Sequence, residues 1–181
     1  QHTSIACLGK DIANLTITIN GFSKLYSMTG WRLGYTAAPK AIADAIDTIQ
    51  SHTTSNVTTF AQYGALAALQ GDQSFIEDLR GEYDVKRQFV FSRLKAIQNV
   101  RVVEPQGAFY AYPGLTGLLN RPIDGVTVSS TLELADLVLD KAKVAFVPGE
   151  AFGLGGYGRF SFALGDDDLV EGIDRFAALV G

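Results

Sequence analysis

Apolar and polar positions along the chain change period several times, and each change marks an element. Residues 14–20 (NLTITIN) alternate apolar side chains with Thr and Asn, and β-branched residues dominate, which predicts a strand. Residues 21–30 hold two glycines, two serines and a threonine and read as a loop. A second short strand is predicted over 31–38 (WRLGYTAA), stopped by Pro39. Behind Pro39, the positions Ile42, Ala45, Ile46 and Ile49 recur at helical spacing, so a helix runs to about Gln50. Another helix covers 59–70 and ends at Gly71. Asp72 opens a long helical stretch reaching Ile97, with Phe75, Leu79, Tyr83, Phe89, Val90 and Leu94 as its apolar positions.

The pattern then becomes mixed. Strands are predicted over 100–103 and 108–112, followed by a loop rich in Gly and Pro, a helix over 131–141, and strands over 144–147 and 159–163. A closing helix runs from about Asp167 to Leu179. There is no internal repeat and no low-complexity tract. The natural boundary falls inside the long helix, dividing the chain into residues 1–85 and 86–181. The expected class is α/β: part of a large α/β domain followed by a smaller α+β domain. Two strands are too few for an independent sheet in the first part, so the chain is expected to be a fragment.

Composition narrows the function without naming it. The 181 residues are 47% hydrophobic and 19% charged, ordinary for a globular protein, with net charge −4 and pI about 5.1. No basic excess suggests nucleic acid, and no apolar run approaches the roughly 20 residues of a membrane span. A single cysteine, Cys7, cannot form an internal disulfide, and no basic-then-apolar leader is visible, so a cytoplasmic protein is expected. Two Asn-x-Thr triplets, at Asn14 and Asn56, match a pattern short enough to arise by chance.

The candidate chemistry lies in NGFSKLYSMTGWRLGY, residues 20–35. A lysine between two strands sits at a strand end, where α/β folds commonly bind ligands. To form a Schiff base it must spend time unprotonated, which burial or a nearby cation promotes. Arg32 offers a fixed positive charge that can also grip a phosphate through parallel hydrogen bonds. Ser23, Ser27 and Thr29 add hydroxyls. On these residues alone, a solvated loop lysine fits at least as well.

The stretch from Ser23-Lys24 through Thr29-Gly-Trp-Arg32-Leu-Gly-Tyr35 resembles the pyridoxal-phosphate attachment site of class I/II aminotransferases, fold type I, in the aspartate aminotransferase-like subgroup. That resemblance implies that Lys24 holds the cofactor as a Schiff base and then moves the proton, and that Arg32, eight positions later, binds its phosphate. Many relatives carry a serine where Gly21 stands, so Ser23 or another loop hydroxyl is the expected substitute contact. Gly158-Arg159-Phe-Ser-Phe-Ala163 is similar to the strand whose arginine, here Arg159, binds the substrate α-carboxylate, a planar bidentate partner. Pro105–Tyr110 resembles the turn into the small domain, and Val147–Gly153 resembles a Pro-Gly-x-x-Phe-Gly loop with Glu150 where serine is common. Ser55–Thr59 with Gln62 is similar to the segment that reaches a neighbouring subunit's phosphate in dimeric relatives; a plain helix cap explains it equally well.

The resemblance covers essentially the whole chain and implies transamination between an amino acid and a 2-oxo acid, with a homodimer usual and neither nucleic acid nor membrane as partner. A carbon–sulfur β-lyase shares the lysine loop, and the sensor domain of a transcription regulator is the alternative from another class. Relatives place further cofactor contacts upstream of the lysine, and this chain begins 23 residues before it, so alone it is expected to be inactive. Four other patterns yield to simpler readings. Gly153–Gly158 matches G-x-G-x-x-G but precedes a strand rather than a helix. Ser92-Arg-Leu-Lys95 lies within an amphipathic helix, and Asp166–Asp168 caps one. His2, His52 and Cys7 lack ligand spacing, so no metal is expected.

Overall fold

The computed structural model describes residues 2–181. Its contacts form two units, one ending at Ile76 and one running from Glu77 to Gly181. In the first unit, a 3-10 turn at Ile5–Cys7 and the short helix α1 (Lys10–Ala13) precede β1 (Thr18–Gly21) and β2 (Gly34–Ala37). Helices α2 (Lys40–Thr53) and α3 (Thr59–Gln70) follow, and then α4 (Ser74–Ala96), which continues into the second unit. Strands β1 and β2 pair antiparallel, with Thr18 opposite Ala37 and Gly21 opposite Gly34.

Both strands are shorter than their patterns predict, for local reasons. After α1, Leu15 and Thr16 are held in a turn by backbone bonds to Ile12 and Ala13, and the Thr16 hydroxyl donates to the Ile12 carbonyl at 2.7 Å. At the other strand, Thr29–Trp31 forms a 3-10 turn, and Arg32 takes a left-handed conformation (φ 54°, ψ 48°), so extension begins only beyond it. The helices over 59–70 and along α4 match their predicted ranges closely. The buried cluster of this unit is small: Phe22, Met28 and Ala65, with Tyr26, Leu33 and Ala68 packed against it. Large apolar side chains stay in solvent, among them Leu15 (88% exposed), Ile19 (80%) and Phe60 (74%).

The second unit adds β3 (Tyr110–Ala111), the hairpin β4 (Pro122–Ile123) and β5 (Val126–Thr127), and helix α5 (Thr131–Ala142). It ends with β6 (Val147–Pro148), β7 (Gly158–Ser161) and α6 (Asp166–Val180). Strand β7 is central in an antiparallel sheet of order β3–β7–β6, with Tyr110 opposite Ser161 and Val147 opposite Arg159. Apolar residues three and four apart on α6 (Leu169, Ile173, Phe176, Val180) and on α5 (Leu134, Val138) are buried with Val90 and Leu94 of α4. Phe146 stacks on Phe160 at 4.8 Å, and Phe176 meets Phe160 edge-on at 5.0 Å.

The strand expected over 100–103 is only a single bridge, Arg101 to Gly114. The β4–β5 hairpin was not anticipated. Its Asp124-Gly125 turn has positive φ at both residues, the primed-turn signature, but its two-residue strands are too short to show alternation. The strand expected over 144–147 is paired only from Val147, because α5 closes on a left-handed Lys143 and the intervening residues lack a ladder partner. Past Ser161, β7 is continued by one bond, Phe162 N–H to the Phe109 carbonyl at 2.9 Å. At the start of α5 the Ser130 hydroxyl accepts the Glu133 N–H, while the Glu133 carboxylate accepts the Ser129 N–H and hydroxyl. This reciprocal cap holds the Glu133 carboxyl below its ordinary range.

The two kinds of apolar position separate experimentally. Phe176→Ala, at a fully buried ring, is expected to destabilise the protein by about 3–5 kcal/mol in urea unfolding, with Leu139→Ala within about 0.5 kcal/mol. Equal effects at the two sites would contradict this core.

Candidate active site

The Gly21–Gly34 pair closes a loop over residues 22–33. The backbones approach so closely that a side-chain carbon on Gly34 would lie 2.8 Å from the Asn20 carbonyl oxygen. Phe22 and Met28 anchor the loop in the buried cluster beside Ala65 of α3, and the Met28 N–H donates to the Phe22 carbonyl. Between these anchors, Ser27 N–H donates to the Lys24 carbonyl at 3.1 Å, with Ser27 in a left-handed conformation, so Lys24 opens an exposed turn. The Tyr26 hydroxyl reaches Gln73 just beyond α3.

Ser23 and Arg32 are tied through the backbone. The Thr29 hydroxyl donates to the Ser23 carbonyl at 2.8 Å, and the Arg32 guanidinium donates to the Thr29 carbonyl at 2.9 Å. Arg32 lines an open hollow of about 540 Å³ with Gly30 and Trp31 of the loop and with Asn56, Val57 and Thr58 ahead of α3. A guanidinium, an amide and a hydroxyl around one hollow suit an anion with several acceptor oxygens, such as a phosphate ester. The Trp31 ring lies on Gly64 of α3, where a methyl group would meet it at 2.5 Å. Lys24, Ser23 and Arg32 thus share one loop, and residues 56–58 join Arg32's hollow.

In the second unit, Arg159 lies half-buried on β7. Its guanidinium carbon is 4.4 Å from the centre of the Tyr110 ring and 4.8 Å from that of Phe152. Two aromatic faces hold the planar cation while leaving its edge N–H groups for a planar acceptor. Among the described residues Arg159 makes no ion pair. The neighbouring Gly158 is required by crowding: a side-chain carbon there would lie 2.8 Å from Leu115 and from Phe146. The Glu150 carboxylate accepts the backbone N–H and the hydroxyl of Thr131 at 3.1 and 2.6 Å. The Thr131 hydroxyl, foremost, keeps the Glu150 carboxyl below its usual range.

The aromatic faces on Arg159 and the Glu150–Thr131 contact were not read from sequence. Tyr110 and Phe152 stood inside quoted motifs, but nothing in one dimension puts their rings on Arg159. The G-x-G-x-x-G match becomes a loop into β7, with Gly153 and Gly156 at positive φ. Among the described residues no three His, Cys, Asp or Glu side chains gather to hold a metal ion, and no helix is long and apolar enough to cross a membrane.

The family profile described as aminotransferase class I and II matches residues 2–176. The chain belongs to that family. As a class I/II aminotransferase chain it is similar to an aspartate aminotransferase of Streptomyces avermitilis, 46% identical over 99% of this chain and 44% of the relative. It is 43% identical to a probable aspartate/prephenate aminotransferase of Aquifex aeolicus, over 97% of this chain and 43% of the other. Among solved structures, the aspartate aminotransferase of Rhizobium meliloti superimposes with a TM-score of 0.93 at 34% identity, covering 99% of this chain and 45% of that one. The chain therefore spans less than half the length of these relatives. The resemblance read from the lysine loop and the α/β class are both borne out. Pyridoxal phosphate is the cofactor of the family.

The packing of Trp31 on α3 has a direct optical test, because this chain has one tryptophan. Gly64→Ala is expected to push the ring into solvent and red-shift its emission; an unchanged spectrum would contradict the contact.

Proposed function

We propose that this chain is the carboxy-terminal portion of a pyridoxal-phosphate-dependent aminotransferase that exchanges an amino acid with a 2-oxo acid, of aspartate or aromatic type. The observation that carries the reading is the loop over residues 22–33, which carries both a turn lysine and the arginine that lines a hollow. The donor set fits the cofactor: an amine on the loop for its aldehyde carbon and, lining the hollow, a guanidinium with amide and hydroxyl groups for its phosphate. Relatives named aspartate or aspartate/prephenate aminotransferase, 43–46% identical, support the same reaction.

When bound, the cofactor supplies an electron sink for the charge that develops at the substrate α-carbon. Lys24 would hold it covalently, and its Nζ would serve as the general base and acid that takes the substrate α-proton and returns one. Arg32 neutralises the phosphate and, tied to Thr29, keeps that anchor fixed relative to Ser23 and the lysine turn. Arg159 pairs edge-on with the substrate α-carboxylate, its face restrained by Tyr110 and Phe152, which fixes the direction of the α-C–H bond. In this reading residues 1–85 belong to the large cofactor domain and 86–181 to the small domain. A cytoplasmic homodimer follows. Its support is the single cysteine and the exposed apolar side chains of the first unit, which suit contact with further protein.

In the full-length enzyme, amino-donor consumption is expected to require a 2-oxo acid acceptor. Ammonia and pyruvate released without an acceptor would overturn transamination in favour of elimination. Lys24→Ala is expected to lower kcat by about 10³-fold or more. Arg159→Lys removes the bidentate fork and is expected to weaken carboxylate binding by roughly 2 kcal/mol, about thirtyfold in KM. A KM unchanged in that variant would remove Arg159 from the site.

A further inference from the structure

We propose that Glu150 is a positioning residue for Arg159, acting through the loop between β6 and β7, which its side chain fastens to the start of α5. The proposal rests on the reading of Arg159 as the carboxylate-binding residue. The fastening is a three-part clamp centred on Thr131, which is fully buried. The two Glu150 carboxylate oxygens accept the Thr131 N–H at 3.1 Å and the Thr131 hydroxyl at 2.6 Å. The same hydroxyl oxygen accepts the Gly156 N–H at 3.0 Å. One hydroxyl therefore joins the outgoing arm of the loop, at Glu150, to its returning arm, at Gly156.

Each arm carries one component of the arginine site. Two residues past Glu150 stands Phe152, whose ring is 4.8 Å from the guanidinium carbon. Two residues past Gly156 begins β7, which carries Arg159. The distance between ring and cation is thus set by how the two arms are held together. Backbone bonds within the loop, Gly149 N–H to Tyr157 O at 2.8 Å and Gly153 N–H to Glu150 O at 3.0 Å, close it on itself. Among the described residues, the Glu150 side chain supplies the hydrogen bonds that join this outgoing arm to α5.

A plain helix cap does not account for this contact. The N-terminus of α5 already has its own reciprocal cap, in which Ser130 receives the Glu133 N–H and Glu133 receives the Ser129 N–H. The bonds to Thr131 also hold the Glu150 carboxyl below its ordinary range, so it is ionised at neutral pH and spent on α5. Glu150 makes no ion pair with Arg159, and the guanidinium keeps its charge for a ligand. A carboxylate this close in sequence thereby orders the site without competing for the cation.

The test uses the full-length, cofactor-loaded enzyme with three variants, Glu150→Ala, Glu150→Gln and Thr131→Val. Steady-state kinetics give KM and kcat for the amino acid, and calorimetry gives the dissociation constant of maleate, an unreactive dicarboxylate. Because the clamp acts on carboxylate binding in ground state and transition state alike, Glu150→Ala is expected to raise KM and the maleate constant about tenfold, with kcat within about threefold. Glu150→Gln keeps one acceptor and is expected to fall between parent and alanine variant; Thr131→Val is expected to follow Glu150→Ala. Should Glu150→Ala not fold, the other two carry the same criteria. Maleate affinity and KM within about twofold of the parent, even alongside a lowered Tm, would reduce Glu150 to a structural contact and overturn the proposal. Arg159→Lys, measured in parallel, separates the two readings: unchanged maleate affinity there would overturn the carboxylate site itself, and the clamp's role with it.

Discussion

Where Gly21 lies opposite Gly34, two four-residue strands close the loop that carries Lys24 and Arg32, and the geometry of that loop depends on the pairing. The approach admits only a glycine at position 34, since any side chain would run into the Asn20 carbonyl. A shift of one residue would replace Gly34 in that contact by Leu33 or Tyr35 and turn the strand faces over. Phe22 and Met28 then fix the loop to α3 from inside, and the Ser23–Thr29–Arg32 bonds fix it from outside. Lys24 thus sits in a turn framed by the contacts of Phe22, Met28, Ser23, Thr29 and Arg32.

The second unit solves a similar problem with different means. Its sheet is short, so stability comes from rings and helix faces: Phe146, Phe160 and Phe176 form one ring cluster, and α4, α5 and α6 bury their apolar stripes around it. On the strand that contributes Phe160 to this core, the residue before it is Arg159, which points to the other side and meets Tyr110 and Phe152. Core packing and cation orientation are thus set by adjacent residues of one strand. The loop preceding that strand is long and glycine-rich, and the Glu150 clamp offsets its freedom.

Much of this was legible in the sequence, and the exceptions have physical causes. Helices α3 and α4 were readable in extent because Gly71 closes one and Asp72 opens the other. The family was readable because Lys24, Arg32 and the residues between them form a long pattern that matches the attachment site in residue type and spacing. Strand limits were not, because Thr16, Arg32 and Lys143 interrupt extension through turn bonds or left-handed backbone that apolar periodicity does not report. The β4–β5 hairpin was hidden by two-residue strands. The rings on Arg159 and the bond from Glu150 to Thr131 join residues distant in sequence, and only the folded register brings them together.

In the proposed function, the amine of Lys24 carries the cofactor. Borohydride treatment of the full-length, cofactor-supplied protein makes a lysine–cofactor linkage permanent, and a peptide digest then locates the added mass. A phosphopyridoxyl adduct is expected on the peptide containing Lys24 and on no other lysine peptide. An adduct elsewhere, or none on the cofactor-supplied full-length protein, would contradict it.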